Sequence, residues 1–485
     1  MTVLARPSRP DLVPEDVVPA LLPVVGAGRS VPLVGGRLAR SVHLDNAASA
    51  PALTRVADHV TDVLPYYASV HRGAGYLSQL CTALYEQARQ TVADVVGARP
   101  GTDVVVFTRN TTDALNLLGT AVPGEVVVLD VEHHANLLPW RTSSSAGVRV
   151  VRSSATLAGT EAALAAELAR RPAALLAVTG ASNVTGEVPD LARLVRLAHA
   201  HGARVVVDAA QLLPHRGFDL AGLDADYVAF SGHKAYAPFG AGVLVGRRDW
   251  LDRAEPHLAG GGAVRSVTTT TTAWASSPER HEGGTPNVLG ALALAEALRT
   301  LDDTGLDRVR QHEAALHRRL VDGLAQRGIT PLRLWDDATD VVGVVSFTVP
   351  GYRPSQVAAY LSAEHGVGVR DGRFCAHPLL DRLGLGEGAV RASLGVGSSS
   401  ADVDRLLEAL DALLADGPRW TYVSDGTGCR PSPDDRELPV WARIAGLDAL
   451  STASTPCVPV PSTTNLGSTN PSTTNPSSTP AGADR

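Results

Sequence analysis

Ser231-Gly232-His233-Lys234 lies between two apolar runs that have the composition of buried strands. The earlier run, Val205-Val206-Val207-Asp208, ends in an acid, and the later run is Val243-Leu244-Val245. A lysine and an acid at the ends of buried strands are costly to desolvate unless each holds a partner or a ligand. This stretch therefore predicts a sheet with a polar site at the ends of its strands.

Lys234 and Asp208 are also the residue pair that a pyridoxal phosphate (PLP) site requires. The lysine forms an imine with C4′ of the cofactor, and the carboxylate keeps the pyridine nitrogen protonated. A surface lysine and a helix-capping aspartate are the ordinary alternatives for these residue types. Their position after two apolar runs favours the cofactor site.

The bulk composition is that of a globular enzyme, with 44% hydrophobic and 19% charged residues. A length of 485 residues exceeds one small core and predicts two lobes with appendages. The net charge of -7 argues against nonspecific binding to nucleic acid or to anionic membranes. No apolar stretch reaches the roughly 18 residues that a membrane-spanning helix needs.

The four cysteines, Cys81, Cys375, Cys429 and Cys457, lie far apart and include no CxxC pair. This spacing favours neither a disulfide framework nor a zinc site, and we expect no metal. The N-terminal stretch lacks the apolar core of a secretory signal. Together these features predict a cytoplasmic protein.

Short apolar runs alternate with helical patterns over the first part of the chain, up to about residue 300. Runs such as Val126-Val127-Val128-Leu129 are bounded by turn or polar residues, and Asp190–Ala200 carries apolar residues at helical spacing. This alternation predicts a mostly parallel sheet covered by helices on both faces, a fold of the α/β class. Sites in such sheets lie at the carboxyl ends of strands, where Asp208 is placed.

The later part of the chain changes character. A helix near Gly305–Arg327, strands near Leu332–Trp335 and Val341–Val349, and a helix near Pro354–His365 predict a smaller α+β domain. The end of the chain is rich in Ser, Thr, Pro and Asn and is predicted to be disordered. The predicted organisation is a leader segment that contributes to the small domain (1–40), a large PLP-binding domain (41–300), a small domain (301–415), a C-terminal extension (416–450) and a disordered tail (451–485).

Ten sequence blocks in register resemble those of class V aminotransferase-fold enzymes, most like the group II cysteine desulfurases and selenocysteine lyases. The blocks are LDNAASAP (44–51), HRG (71–73), FTRNTTDALN (107–116), EHHANLLPW (132–140), SNVTGEV (182–188), VDAAQ (207–211), SGHK (231–234), EGGTPN (282–287), the Arg370–Pro378 block and RASLG (391–395). The resemblance covers residues 42–413. It implies a fold type I PLP-transferase, with a mostly parallel seven-stranded sheet flanked by helices in the large domain and a smaller α+β C-terminal domain.

The resemblance also implies roles for individual residues. Lys234 resembles the Schiff-base lysine, Asp208 the partner of the pyridine nitrogen, and His133 the histidine that stacks on the ring and acts as an acid or base. The other residues implied to bind the cofactor are Thr111, Thr112, Asn183, Gln211, Ser231, His233, Gly284 and Thr285. In the family, the loop matching Gly284-Thr285 reaches the phosphate of the partner subunit, which implies a homodimer with shared active sites.

Thr111 and Thr112 also stand at the start of a predicted helix, where free backbone N–H groups favour a phosphate. Asn110 precedes them where the family usually has glycine. Asparagine tolerates positive φ better than other non-glycine residues, so we expect a left-handed turn to survive there.

Two arginines are candidates for the substrate carboxylate. Arg391 resembles the family's clamp on the α-carboxylate, and a planar guanidinium suits two parallel hydrogen bonds. Arg370 is the second candidate, and Asn183 resembles a further substrate contact. A surface ion pair is the alternative for either arginine.

Cys375 decides which reaction is expected. In the resembled desulfurases a thiolate at this position attacks the sulfur of a cysteine adduct, so that alanine leaves and a persulfide remains. Cations and histidines favour a thiolate, and Arg370, Arg373 and His377 lie within a few residues. Many family members have histidine immediately before the cysteine, whereas this chain has Phe374, which either covers the thiol or alters the size of the substrate. A small buried apolar cysteine is the alternative for Cys375.

The sequence is compatible with three functions. The first is a PLP-dependent cysteine desulfurase that converts L-cysteine to L-alanine, forms a persulfide on Cys375 and passes the sulfur to an acceptor protein. The second is a PLP-dependent aminotransferase, epimerase or C–S lyase for another amino acid, with Cys375 non-catalytic. The third is an inactive scaffold that binds a partner through its tail, and it requires the loss of Lys234 or its surroundings, which are intact. We expect neither a nucleic acid nor a membrane as a partner.

Overall fold

The computed structural model describes residues 17–142, 147–424 and 428–447. Its strands are β1 (Ser30–Pro32), β2 (Leu38–Arg40), β3 (Val42–His43), β4 (Asp103–Thr108), β5 (Val126–Leu129), β6 (Val148–Val151), β7 (Leu175–Thr179), β8 (Arg204–Asp208), β9 (Tyr227–Ser231), β10 (Gly242–Arg247), β11 (Val264–Val267), β12 (Thr272–Trp274), β13 (Val344–Phe347), β14 (Val367–Gly368), β15 (Arg370–Gly372), β16 (Ala389–Ser393), β17 (Tyr422–Ser424) and β18 (Cys429–Pro431). Its α-helices are α1 (Thr54–Val63), α2 (Tyr76–Val95), α3 (Thr111–Ala121), α4 (Pro139–Thr142), α5 (Leu157–Arg170), α6 (Leu191–Ala200), α7 (Leu213–Arg216), α8 (Arg248–Arg253), α9 (Val288–Thr304), α10 (Leu306–Ala325), α11 (Pro354–His365), α12 (His377–Arg382), α13 (Ser400–Asp416) and α14 (Val440–Ile444).

The larger lobe is built on a seven-stranded sheet of order β4-β10-β9-β8-β7-β5-β6. Strand β10 runs antiparallel to both of its neighbours, and the other pairs are parallel, which confirms the predicted sheet. Successive side chains of a strand point to opposite faces. In β5, Val127 and Leu129 pack in one apolar core while Val126 and Val128 pack in another. Both faces are therefore covered by helices, which explains why the strands are continuous apolar runs.

The register of β10 fixes the edge of the sheet that carries polar residues. Gly242 lies opposite Thr108 of β4 on one side and opposite Ser231 of β9 on the other. The carboxyl ends of β4 and β9 therefore lie at the same edge as the carboxyl end of β8, at Asp208. This edge is where a ligand site is expected in an α/β sheet.

The smaller lobe has an antiparallel sheet of order β13-β16-β15 packed against α10, α11 and α13. The expected strand at Leu332–Trp335 is wrong, and the expected strand at Val341–Val349 is reduced to β13. The carboxylate of Glu187 accepts hydrogen bonds from the backbone N–H groups of Leu334 and Trp335, at 2.7 and 3.3 Å. Because a side chain binds these two donors, they are not available to a neighbouring strand.

The C-terminal extension docks on the smaller lobe through the hairpin β17–β18, which packs against α11. The carboxylate of Glu364 accepts hydrogen bonds from Arg419 N at 3.1 Å, Trp420 N at 3.2 Å and the Tyr422 hydroxyl at 3.0 Å. The predicted disordered tail, 451–485, and most of the predicted leader, 1–16, lie outside the described residues. Within the described part of the chain, no helix is long and apolar enough to cross a bilayer.

Candidate active site

A cavity of about 310 Å³ opens at the carboxyl edge of the large sheet and is closed on one side by the smaller lobe. It is lined by residues from strand ends, from the loop after β3 and from the segment between β15 and α12. The lining residues are Ala47, Ala48, Ser49, Asn110, Thr111, Thr112, His133, Ala135, Thr179, Ala181, Asn183, Asp208, Ala210, Gln211, Ser231, His233, Lys234, Arg370, Phe374, Cys375 and Arg391.

Lys234 and Asp208 form the charged centre of this cavity. Lys234 ends a single 3-10 turn, Gly232–Lys234, directly after β9, while Asp208 ends the adjacent strand β8. Burial lowers the pKa of Lys234 to about 8, and the nearby Asp208 opposes that shift. Burial also raises the pKa of Asp208, again opposed by Lys234. The two groups stabilise each other's charge in a site that water reaches poorly.

The N-terminus of α3 contacts the lysine loop, Ser231–Lys234, through the hydroxyl groups of Thr111 and Ser231. Thr111 N donates to Ser231 Oγ at 2.7 Å, and the two hydroxyl oxygens lie 2.6 Å apart. The expected left-handed turn at Asn110 is wrong, because Asn110 has φ -170 and caps the helix by accepting a hydrogen bond from Asp113 N. A Cβ at Gly242 would lie 2.4 Å from Asn110 Cα, so β10 must begin with glycine for this approach.

The adjacent His133 and His134 have different positions: His133 lines the cavity, and His134 binds the segment that carries Cys375. His133 lines the cavity, and its Nδ1 accepts a hydrogen bond from Ala135 N at 3.0 Å, which leaves the proton of the neutral ring on Nε2. Burial, followed by the charge of Lys234, lowers the pKa of His133 to about 3. His134 N donates to Cys375 O at 2.8 Å, and its ring lies edge-on to His377, with centroids 4.6 Å apart.

Arg391 is held in the cavity wall by two partners. Its Nη1 donates to Asn183 O at 3.0 Å, and its Nη2 donates to Asp45 Oδ1 at 3.2 Å. Arg370 lies 3.8 Å from the other oxygen of Asp45, so one carboxylate faces both arginines. Arg391 is buried, with 4% of its side chain exposed, whereas Arg370 is 52% exposed. Arg391 is therefore the stronger candidate for a fixed carboxylate site.

The segment between β15 and α12 brings Cys375 to the cavity. Phe374 and Cys375 both have left-handed backbone geometry, with φ of 50 and 52, which is strained for non-glycine residues. Two hydrogen bonds hold this geometry, from Asn183 Nδ2 to Phe374 O at 2.8 Å and from His134 N to Cys375 O at 2.8 Å. Cys375 is exposed while Phe374 is buried. The expectation of a buried apolar cysteine as the alternative therefore does not describe this thiol.

Of the remaining expected site residues, His233 and Gln211 line the cavity, whereas Gly284 and Thr285 do not. His233 binds Ser49 Oγ through Nδ1 at 2.9 Å, and Gln211 Nε2 donates to Ala47 O at 2.7 Å. Gly284 and Thr285 are not among the described residues that line the cavity, so their role at a partner's phosphate stays a prediction.

Sequence reasoning assigned no role to Asp45, Ala47 and Ser49, which bind the site residues Arg391, Gln211 and His233. All of them lie in the LDNAASAP block, and that resemblance was the signal available.

Two buried polar atoms of the cavity wall test whether PLP fits. Gln211 Oε1 and Arg391 Nε have no hydrogen-bond partner within the described residues. Buried polar groups are generally paired, so these atoms call for a ligand with a donor and an acceptor group. PLP with an amino-acid substrate supplies a phenolic oxygen, an amine and a carboxylate. With Lys234 and Asp208 beside them, the residues present fit the cofactor.

The sheet order, the lysine–carboxylate pair at the strand ends and the helix N-terminus define a fold type I enzyme of the PLP-dependent class. The chain belongs to the aminotransferase class-V family, whose model matches residues 42–406. It is 36% identical over 383 residues to the cysteine desulfurase of Haloferax volcanii, and the match covers 76% of this chain and 89% of the relative.

Two solved structures have the same architecture. The apo cysteine desulfurase of Thermococcus onnurineus NA1 is 35% identical with a TM-score of 0.72, and the match covers 77% of this chain and 94% of that chain. The cysteine desulfurase CsdA of Escherichia coli, in an S-sulfonic acid form, is 35% identical with a TM-score of 0.69 over the same shares.

Proposed function

We propose that the protein is a PLP-dependent cysteine desulfurase that converts L-cysteine to L-alanine and leaves a persulfide on Cys375. The observation that carries this proposal is that Lys234, Arg391 and the exposed Cys375 line one cavity. The similarity to cysteine desulfurases over most of the chain supports the choice of substrate.

The cavity residues divide the work of holding cofactor and substrate. Lys234 and Asp208 would hold PLP at its aldehyde carbon and ring nitrogen, and Thr111, Thr112 and Ser231 would hold its phosphate. Bound there, PLP supplies an electron sink for the bonds at Cα of an amino acid. His133 is neutral at neutral pH, because its pKa is near 3, and its Nε2–H is a hydrogen-bond donor, since Nδ1 already accepts from Ala135 N.

Cys375 takes the sulfur atom. Its Sγ attacks the sulfur of L-cysteine, so that an S–S bond forms while the Cβ–S bond breaks and a proton ends on Cβ. The net reaction is L-cysteine plus a thiol giving L-alanine plus a persulfide, and it needs no external oxidant. Because Cys375 is exposed, an acceptor protein with a thiol is able to reach the persulfide.

The decisive experiment compares alanine and sulfide release from L-cysteine by the wild type and by Cys375→Ala. We expect the variant to lose release by about 100-fold or more while it retains the cofactor's visible absorbance. Cys81→Ala is the control, because the buried Cys81 packs away from the cavity. Wild-type release by Cys375→Ala would overturn the role of Cys375, and a wild type that converts a different amino acid would support a transaminase, epimerase or C–S lyase instead.

We also propose that the enzyme is a homodimer with shared active sites. Exposed apolar side chains cluster around the start of α2, including Leu64, Tyr66, Tyr67 and Tyr76, and a patch of this kind is typical of an interface. Mixing Lys234→Ala with Thr285→Ala is the test, since a shared site restores part of the activity in mixed dimers. A monomer in light scattering would exclude this arrangement.

A further inference from the structure

Phe374 forms a triangle of contacts with Arg391 and Asn183 in the cavity wall. The guanidinium carbon of Arg391 lies 5.0 Å from the centroid of the Phe374 ring. Asn183 joins the same two residues, because its side chain donates to Phe374 O at 2.8 Å and its backbone oxygen accepts from Arg391 at 3.0 Å. The ring therefore packs on Arg391 while the backbone is fixed by Asn183.

These contacts connect the backbone that carries the thiol to the arginine. Cys375 follows Phe374 directly, both have positive φ, and His134 N holds Cys375 O. Phe374 is 7% exposed, and it lines the same cavity as Arg391 and Cys375. Because Phe374 contacts Arg391 and is the neighbour of Cys375 in the chain, we expect a substrate side chain that extends from Arg391 towards Cys375 to contact this ring.

We propose that Phe374 is the specificity-determining residue of the site: its ring fixes the plane of Arg391 and limits the substrate to a side chain of one methylene and one sulfur or selenium atom. The inference rests on the proposed binding of the α-carboxylate at Arg391. An aromatic face is attractive to a guanidinium, and a bulky ring excludes longer side chains by volume.

Two variants separate these effects. Phe374→Leu keeps most of the bulk but removes the aromatic face, whereas Phe374→Ala removes both. The probes are L-alanine and L-leucine, which carry no sulfur, titrated into the holoenzyme and followed by its visible absorbance. The wild type should bind L-alanine at least about tenfold more tightly than L-leucine, since the leucine side chain exceeds that of cysteine by two methyl groups and even one surplus methylene in a fitted pocket has an effect of that order.

Phe374→Leu should weaken L-alanine binding by about 3- to 10-fold and retain the discrimination against L-leucine. Phe374→Ala should bind L-leucine at least about tenfold more tightly than the wild type does. With L-cysteine, Phe374→Leu should raise KM by about 3- to 10-fold and change kcat by less than about threefold, because the ring acts on binding. A loss of fold would lower both affinities together and would not invert their ratio.

An unchanged ratio of L-alanine to L-leucine affinity in a Phe374→Ala variant that retains the wild-type circular dichroism spectrum and cofactor absorbance would overturn the inference. So would a fall in kcat with constant KM in Phe374→Leu, because the ring would then act on the thiol. A wild type that binds L-alanine selectively but releases no alanine from L-cysteine would contradict the proposed function and leave the role of Phe374 standing.

Discussion

Asp45 and Arg391 form an ion pair that joins the start of the larger lobe to strand β16, with Asp45 Oδ1 3.2 Å from Arg391 Nη2. Burial lowers the pKa of Arg391, and the Asp45 carboxylate opposes that shift. The pair therefore keeps the arginine charged in the cavity wall before a substrate carboxylate arrives.

Asp45→Asn is expected to destabilise the protein by about 1–3 kcal/mol, because it removes the charged partner of a buried arginine. Urea denaturation measures the effect. Asp303→Asn is the matched control, since Asp303 pairs with Arg55 at 3.2 Å and both side chains are about half exposed. That variant should change stability by less than about 1 kcal/mol. Equal losses in the two variants would contradict the importance of the Asp45 pair.

Acid should destabilise the fold through neutral histidines that are partly desolvated in the native state. Burial lowers the pKa of His133 to about 3 and that of His317 to about 4, whereas the value in an unfolded chain is about 6.5. Below about pH 6.5 the unfolded chain binds protons that the native state excludes, so stability falls as pH falls towards 4. Each histidine adds a slope of up to about 1.4 kcal/mol per pH unit.

His317→Gln is expected to reduce that slope without affecting the active site. Denaturation midpoints between pH 7 and pH 4 give the measurement, and His43→Gln, at an exposed position, is the control. A slope in His317→Gln that matches the wild type would exclude His317 as a contributor.

Glu132 should have the opposite effect: its contribution to stability falls as pH rises. Burial raises its pKa to about 8, so the native state retains a proton that the unfolded chain loses above about pH 4.5. This contribution to stability is complete below pH 4.5 and is lost as pH rises to about 8. Asn136 Nδ2 donates to Glu132 Oε2 at 2.7 Å, and Asn136 Oδ1 is unpartnered within the described residues, so an amide flip accommodates Glu132→Gln.

We expect the stability of Glu132→Gln, relative to wild type, to improve by about 1–3 kcal/mol between pH 6 and pH 8. Urea denaturation at the two pH values measures this difference. Glu387→Gln, at an exposed carboxylate, provides the comparison. A constant difference between Glu132→Gln and wild type would show that Glu132 is already ionised in the native state.

The C-terminal hairpin should detach when Glu364 loses its charge. Glu364→Gln replaces one acceptor oxygen by an amide facing the N–H groups of Arg419 and Trp420, with an expected loss of about 1–3 kcal/mol of docking free energy. Limited proteolysis should cut the segment after residue 417 faster, while alanine release from L-cysteine stays unchanged. Resistance equal to the wild type would mean that other contacts hold the hairpin.

Local patterns in the sequence were sufficient to predict the sheet and the centre of the site. Apolar runs such as Val205–Val207 require burial on both faces, and parallel strand ends meet at one edge, so Lys234 and Asp208 had to lie close together. The helix predicted near Pro354–His365 is confirmed as α11.

The contacts that sequence reasoning missed are those between distant segments. Asp45 and Arg391 are 346 positions apart, and neither residue type indicates its partner. Glu187 likewise binds the N–H groups of a segment that local propensity assigned to a strand. At Asn110 a side-chain cap replaced the expected left-handed turn, because two conformations suit asparagine and only the packing against Gly242 selects one.

The contact between Gly242 and Asn110 restricts how this pocket can be redesigned. Any side chain at residue 242 would push the start of α3 away from the lysine loop, because the nearest backbone atom would be 2.4 Å from its Cβ. A saturation library at this position should return glycine alone among active clones. Attempts to enlarge the pocket for new substrates should therefore leave the β10–α3 contact untouched and vary the wall formed by the smaller lobe.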